Sequence, residues 1–430
     1  MATSSLPASS VDRPQQADLD RCVHCGLCLN ACPTYRQLGV EMDSPRGRIY
    51  QMNQVAAGNL AINDEYVEHI DLCLACRACE TACPSGVEYG KLVEAARAQI
   101  AEQRPLGFVE RFLYEKVLLS PSLLKLAGYN TWFYQRSGLQ WLARQTGVLK
   151  LLGHLGEIEA LAPPAQTPFY FDKIGKTFPA EGERRYRVAF LAGCIANVSF
   201  ARMNEATVRV LQKNGCEVVL PGEQACCGAL HVHRGLRDVG RRQAMQNIAA
   251  VEYGAFDAVI TNAAGCGSVL KEYPELFEDG SEWKERAEKF AANLKDITEF
   301  LASIELNRDF AETPLTVTYQ DSCHLLHGQK VRTPPRQLLA AIPGLRFKEL
   351  PLTEICCGSA GVYNIQHTEM SMRLLEDKMR MVDSTGAEVI VTANPGCMLQ
   401  LQAGDRKFGK GERRVLHVVE LLDEAYRRAS

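Results

Sequence analysis

From Val188 onward the hydrophobic pattern alternates between short apolar runs and longer amphipathic stretches. Val188–Leu191, Glu217–Leu220 and Ala258–Thr261 read as strands, while Met203–Asn214 and Met370–Val382 carry apolar residues at helical spacing. Strands alternating with helices predict α/β units with largely parallel sheets. The pattern before this region is different. Leu113, Val117 and Leu118 recur at helical spacing, as do Leu139, Leu142, Leu149 and Leu152 more loosely, and Pro121 stands where a helix opens. Ala162–Pro168 reads as a linker. This middle stretch is expected to be a helical connector whose apolar faces pack inward; the alternative is a partner-docking or membrane-facing surface. Between Ser44 and Cys76 the text again reads as mostly helical.

The cysteines divide the chain in the same way. Of 17, eight fall between Cys22 and Cys83 and nine between Cys194 and Cys397, with none between them. The C-terminal half repeats internally: Cys194, Cys226, Cys227 and Cys266 return as Cys323, Cys356, Cys357 and Cys397. The flanks match too, LPGEQACCGAL facing LPLTEICCGSAG. The expected organisation is therefore α+β and multidomain. It comprises an α-helical ferredoxin-type domain (1–104), a helical connector and linker (105–184) and two duplicated α/β cysteine-rich domains (185–312 and 313–430).

Composition narrows the function classes. Lys plus Arg is 48 against 51 Asp plus Glu, a balance that argues against a nucleic-acid binder. The polar start MATSSLPASSVDRPQQ lacks the apolar core of a signal peptide, so a cytoplasmic chain is expected and a secreted disulfide scaffold is not. The most apolar stretch, Phe108–Leu161, is interrupted by Lys125, Arg136, Arg144 and Lys150, too often for a spanning helix.

The chemistry is in the cysteine spacing. C-x₂-C-x₂-C-x₃-C-P occurs twice, as Cys22, Cys25, Cys28 and Cys32 before Pro33, and as Cys73, Cys76, Cys79 and Cys83 before Pro84. Thiolates are soft ligands that suit iron–sulfur clusters. In this spacing the fourth cysteine of each run ligates the other cluster. One [4Fe–4S] cluster is thus assigned to Cys22, Cys25, Cys28 and Cys83, and a second to Cys32, Cys73, Cys76 and Cys79. Structural zinc is the alternative, but it rarely needs three cysteines at this spacing and a fourth before Pro. Arg46 and Arg48 are placed either as donors towards a cluster or partner carboxylate, or in a solvated turn. His24 is expected on the surface.

The CCG pairs, Cys226–Cys227–Gly228 and Cys356–Cys357–Gly358, resemble those of the cysteine-rich CCG domains of heterodisulfide reductases and flavin-linked dehydrogenase subunits. The family's closing C-x-x-C is incomplete here, with Ala263 and Asn394 in place of its first cysteine. That departs from the five-cysteine cluster of some members. It leaves four thiols per repeat (Cys194, Cys226, Cys227, Cys266; Cys323, Cys356, Cys357, Cys397) for an additional iron–sulfur cluster, the alternative being buried structural cysteines. Cys216 is read as structural, in a turn. His231, His233, His324 and His327 stand near these thiols, either as donors to cluster sulfurs and proton shuttles or in local turns.

No dinucleotide fingerprint follows a strand, and GDRKFGK (Gly404–Lys410) lacks the Ser or Thr of a phosphate loop and reads as a charged surface turn. With no site for hydride chemistry, substrate oxidation is assigned to another subunit. Over nearly the whole length, CVHCGLCLNACPTY, SPRGRIYQM, LCLACRACETACPSGVEYGKLVE, LAGCIAN, CCGALHVHRG, DSCHLLHGQ and ICCGSAGVYNI resemble the iron–sulfur subunits of bacterial glycolate oxidases. The resemblance implies partner subunits that carry FAD and oxidise glycolate to glyoxylate. This chain would then pass electrons onward to a quinone or other membrane acceptor, sitting peripherally on the inner membrane through the complex. Subunits of anaerobic glycerol-3-phosphate and D-lactate dehydrogenases share the layout. A heterodisulfide-reductase-like enzyme, catalytic by itself, is the reading of a different class, and a colourless zinc scaffold is a third.

Overall fold

The computed structural model describes residues 10–151 and 164–429, with Gly156 and Glu159 between them. Leu152, and Ala162 and Pro163 of the expected linker, lie outside the described residues.

The N-terminal region is helical, as the sequence suggests. Helices Pro33–Leu38, Pro45–Ala56, Asp64–Asp71 and Tyr89–Gln103 surround two irregular cysteine loops. Ser44 and Asn63 open two of them by accepting from the Gly47 and Tyr66 amides at 3.0 and 2.9 Å. Ile49, Met52, Tyr66, Ile70, Leu92 and Val93 form the core between the helices. Gly47 is required by close packing: a Cβ there would lie 2.0 Å from the Glu41 carbonyl oxygen.

Phe108–Phe112, Leu113–Val117, Pro121–Arg136, Leu139–Gln145 and Val148–Leu151 make the connector helical. Its expected inward packing holds only in part: Tyr114 is buried and Val117, Leu118 and Trp132 are half-buried. Leu124 and Gly128 face the protein, with Gly128 so close to Phe169 and Val198 that a Cβ would meet both at 2.8 Å. The remaining apolar residues largely face outward: Phe108 is 86% exposed and Trp141 66%. Helical periodicity reports that a face is apolar, not what covers it. No helix among the described residues is long and apolar enough to cross a membrane.

Two sheets follow. The first has strands β1 (Thr177–Phe178), β2 (Tyr186–Phe190), β3 (Cys216–Val219), β4 (Ala258–Thr261) and β5 (Leu294–Asp296) in the order β1-β3-β2-β4-β5. The second has β6 (Thr316–Tyr319), β7 (Arg346–Glu349), β8 (Val389–Thr392) and β9 (Arg414–His417) in the order β7-β6-β8-β9. Only β1 runs antiparallel to its neighbour, so β3-β2-β4-β5 and β7-β6-β8-β9 are the same all-parallel arrangement. The sheets share one hydrophobic core, in which Val188, Phe190, Val317, Val391, Leu421 and Leu422 are wholly buried. The helices Ala201–Lys213 and Val418–Ala429 join them through a bidentate Arg209–Asp423 pair at 2.8 Å. Cys216 begins β3 and is fully buried, so its place is a strand rather than a turn. Gly404–Phe408 ends the helix Pro395–Phe408, and Asp405 is buried against Arg413, so this stretch is no surface turn.

Candidate metal centre

The two ferredoxin-type loops bring their cysteines close to one another, with Cys22 beside Cys83 and Cys25, and Cys28 beside both Cys22 and Cys32. Burial raises the Cys79 thiol far above its ordinary value, and Cys76, Cys73 and Cys32 lie close enough to add to the shift. Cys22 is likewise raised by burial and by Cys83 and Cys25, and burial takes Cys28 to about 11. Both sets are free thiols. Among the described residues no group of three or more His, Cys, Asp or Glu is disposed to hold a single metal ion. Eight free thiols are the soft donors that iron–sulfur clusters would take.

The two arginines distribute themselves between the sets. Arg48 is 1% exposed, and donates to the His69 carbonyl at 2.6 Å and to Thr34 Oγ1 at 3.2 Å. Burial works against its charge, yet Cys73, Tyr89, Cys32 and Asp43 hold it on the guanidinium. Arg46 is clamped by Glu41 at 2.6 Å and reaches the His24 carbonyl at 3.1 Å, on the side of Cys22 and Cys28. Neither sits in a solvated turn. Arg46 beside Cys28 and Arg48 beside Cys73 and Cys32 would offset part of the negative charge that thiolate ligation would place there. His24 is on the surface. Sulfur also receives local hydrogen bonds: Ala75 N donates to Cys73 Sγ at 3.3 Å, and the Tyr89 hydroxyl at 3.6 Å.

The eight cysteines of the two CCG repeats line one cavity of about 270 Å³ between the sheets, together with Cys73. The reason is topological. Each repeat places its cysteines just beyond the C-terminal ends of three parallel strands, where α/β sheets bind ligands, and the two repeats turn these ends towards each other. In the first repeat the Cys226 and Cys194 sulfurs are 3.5 Å apart. In the second, Gly358 N donates to Cys356 Sγ at 3.4 Å and Asn394 Nδ2 to Cys397 Sγ at 3.5 Å. Cys356 hydrogen-bonding holds the Cys357 thiol at about 12, with burial adding to it. Thiols kept so basic would ionise only on binding a cation, and such binding would release protons.

The second repeat touches the ferredoxin-type domain. Cys76 and Cys356 share a small core with Leu74, Ala78, Tyr363, Met370 and Leu374. The Tyr363 hydroxyl donates to the Leu72 carbonyl at 3.0 Å. All four histidines serve seams between segments, and His233 and His324 also line the thiol cavity. His324 meets the Ala75 carbonyl at 3.0 Å, His327 Thr81 Oγ1 at 2.8 Å, His233 Glu94 at 2.9 Å, and His231 the Tyr114 carbonyl at 2.8 Å.

Family models match this layout in order: a 4Fe-4S dicluster domain over residues 18–87, the linker region of the glycolate oxidase iron-sulfur subunit over 105–162, and a cysteine-rich CCG domain over 188–271 and 317–402. The chain is 44% identical over 423 residues to the probable glycolate oxidase iron-sulfur subunit of Bacillus subtilis, covering 96% of this chain and 95% of that protein. The chain belongs to the family of glycolate oxidase iron–sulfur subunits. The Escherichia coli member is 32% identical, with 96% of each chain covered. A chain of the Methanothermobacter marburgensis fumarate reductase (CoM/CoB) is 28% identical over 94% of this chain and 72% of its own length.

Within this glycolate oxidase subunit family layout, two residues near the thiols carry little signal in the sequence and a third carries some. Arg97 ties the Cys73 carbonyl (2.5 Å) to the His233 carbonyl (3.2 Å), and Lys378 is buried, donating to the Leu352 carbonyl at 2.8 Å. Asn394 is the third. It occupies the place of the missing cysteine, which is itself a signal, and it also accepts from Gly265 N of the other repeat at 3.2 Å.

Proposed function

We propose that this chain is the electron-carrying subunit of a glycolate-oxidising dehydrogenase complex. FAD-bearing partner subunits take the electrons from glycolate, and this chain delivers them to a quinone or another membrane acceptor. Residues 1–104 form the domain of two [4Fe–4S] clusters, held by Cys22, Cys25, Cys28 and Cys83 and by Cys32, Cys73, Cys76 and Cys79. Residues 105–184 connect it to two duplicated CCG domains, 185–312 and 313–430, whose eight remaining thiols hold further iron–sulfur.

The observation that supports this most is the seam at Cys76. A thiol of one ferredoxin-type set lies against Cys356 and Cys323 of the second CCG repeat, inside a shared apolar core. Thiol sets thus follow one another from the exposed Cys25 to the enclosed cavity. When bound, the clusters supply one-electron storage. The chain's own residues hold the thiolates apart, exclude water from Cys356, Cys357 and Cys397, and place Arg46 and Arg48 as counter-charges.

The test is an anaerobic preparation of the complex with a Cys76→Ser chain. Reduction of partner flavin by glycolate is expected to survive while acceptor reduction falls at least a hundredfold, with iron lost from the chain. Unchanged acceptor reduction overturns the reading.

A further inference from the structure

Eighteen large apolar side chains are exposed among the described residues, and they are not scattered. Five lie between Val23 and Tyr50, and Val23 and Leu27 flank the exposed Cys25. A redox partner must approach a cluster closely, so this first patch suits the flavin subunit. Eleven others lie between Phe108 and Val148, on the connector, which carries no thiol. Five successive helical segments present them. Phe112 closes Phe108–Phe112, Leu126, Tyr129 and Phe133 form an outward stripe on Pro121–Arg136, and Trp141 and Leu142 stand on Leu139–Gln145. The opposite side of the middle helix, at Leu124 and Gly128, is the one that packs on the protein.

Charge selects the occupant. Between Pro105 and Leu151 there are six basic residues and two acidic ones, in a chain of net charge −3. Arg111 and Arg144 meet Glu115 and Glu159 at 3.0 and 3.2 Å, but their side chains remain 60% and 51% exposed. Pairs this exposed hold weakly. Aromatic and aliphatic side chains on short helices, rimmed by Lys and Arg, are the composition of segments that lie in a membrane interface rather than cross it.

We propose that the connector is the membrane-seating surface of this chain, embedding its outward apolar stripe in an anionic phospholipid leaflet. The inference deepens the reading above, since an electron carrier that serves a membrane acceptor must be held at the bilayer. Its basis is the surface alone, independent of any cluster.

The test uses the full-length, cluster-loaded chain and vesicles of phosphatidylcholine with or without phosphatidylglycerol. Co-sedimentation with the anionic vesicles only, reversed by salt, is the expected result. A Phe133→Ser/Trp141→Ser variant should bind at least about tenfold more weakly, and so should Lys116→Glu/Arg136→Glu, both with iron content unchanged. The proposal is overturned if anionic vesicles retain no more protein than neutral ones, or if both variants bind like the parent. It is equally overturned if adding the flavin subunits covers the surface and abolishes vesicle binding. Glycolate-driven reduction of a soluble dye, read on the same complexes, reports separately on electron carriage.

Discussion

The two CCG repeats share a strand order and four thiol positions, yet they sit in different surroundings. In the second, Cys356, Cys357 and Cys397 are 2%, 1% and 4% exposed, and Cys76 of the ferredoxin-type domain lies against Cys356. In the first, Cys226 and Cys227 are 8% and 7% exposed, Cys266 is half-buried, and the group packs with its own repeat. Position 378 is a buried Lys beside the second Cys pair; counted equally far from the first pair, position 248 is a buried Ile. The first repeat instead builds charged seams. Arg241 and Arg237 meet Asp12 at 2.8 Å, and His233 meets Glu94. One fold is therefore set in two surroundings, and the environment of the thiols, not their spacing, tells the repeats apart.

The comparison breaks most directly at the thiols. Because Cys76 abuts the second repeat, Cys357→Ser should leave only the ferredoxin-type domain reducible by glycolate in the complex, with acceptor reduction down at least a hundredfold. Cys227→Ser should leave the second repeat's paramagnetic signal intact. Equal loss of both signals in both variants would remove the distinction between the repeats.

How much of this is legible in the sequence differs by the range of the interaction. The cysteine runs, the strand β4 and the helices around Met203 and Met370 follow from short-range spacing, and the structure places them within a few residues of expectation. The meeting of eight cysteines in one cavity depends on how two sheets face each other, which no local pattern encodes. The same holds for His233, His324 and His327, whose partners lie 139, 249 and 246 residues away. The connector's periodicity misleads in part because an amphipathic period is equally consistent with a core and with a docking face.

A second contrast lies in the CCG glycines. Both adopt the left-handed backbone that favours Gly, with φ of +79° at Gly228 and +88° at Gly358. A Cβ on Gly358 would stand 2.6 Å from the Ser371 carbonyl oxygen, whereas on Gly228 the nearest atom is the Gly240 Cα at 3.3 Å. Gly358→Ala should therefore cost about 3 kcal/mol of stability and Gly228→Ala about 1 kcal/mol. Chemical denaturation of the two variants measures the gap; equal costs would show that the second repeat is packed no more tightly.

The smallest effect separates the repeats by pH. Each ends its sheet in a capped helix built to one plan. In the first, Asp296 accepts from Thr298 N at 2.8 Å, and Glu299 reaches back to Asp296 N at 3.3 Å. In the second, His417 Nδ1 accepts from Val419 N at 3.2 Å, and Glu420 takes the His417 amide at 2.8 Å. Burial raises Asp296 to about 6 and lowers His417 to about 4. A raised carboxyl adds stability that is complete below its unfolded value near 3.9 and is lost as pH rises through about 6. A depressed imidazole adds stability that is complete above its unfolded value near 6.5 and is lost as pH falls through about 4. Between pH 4 and 6 the two caps thus pull in opposite directions. Asp296→Asn should flatten the decline towards neutral pH, and His417→Asn the decline towards acid, in denaturation curves of the full chain across that window. If both variants shift the curve in the same direction, the caps do not titrate independently and the plan they share is not what sets their response.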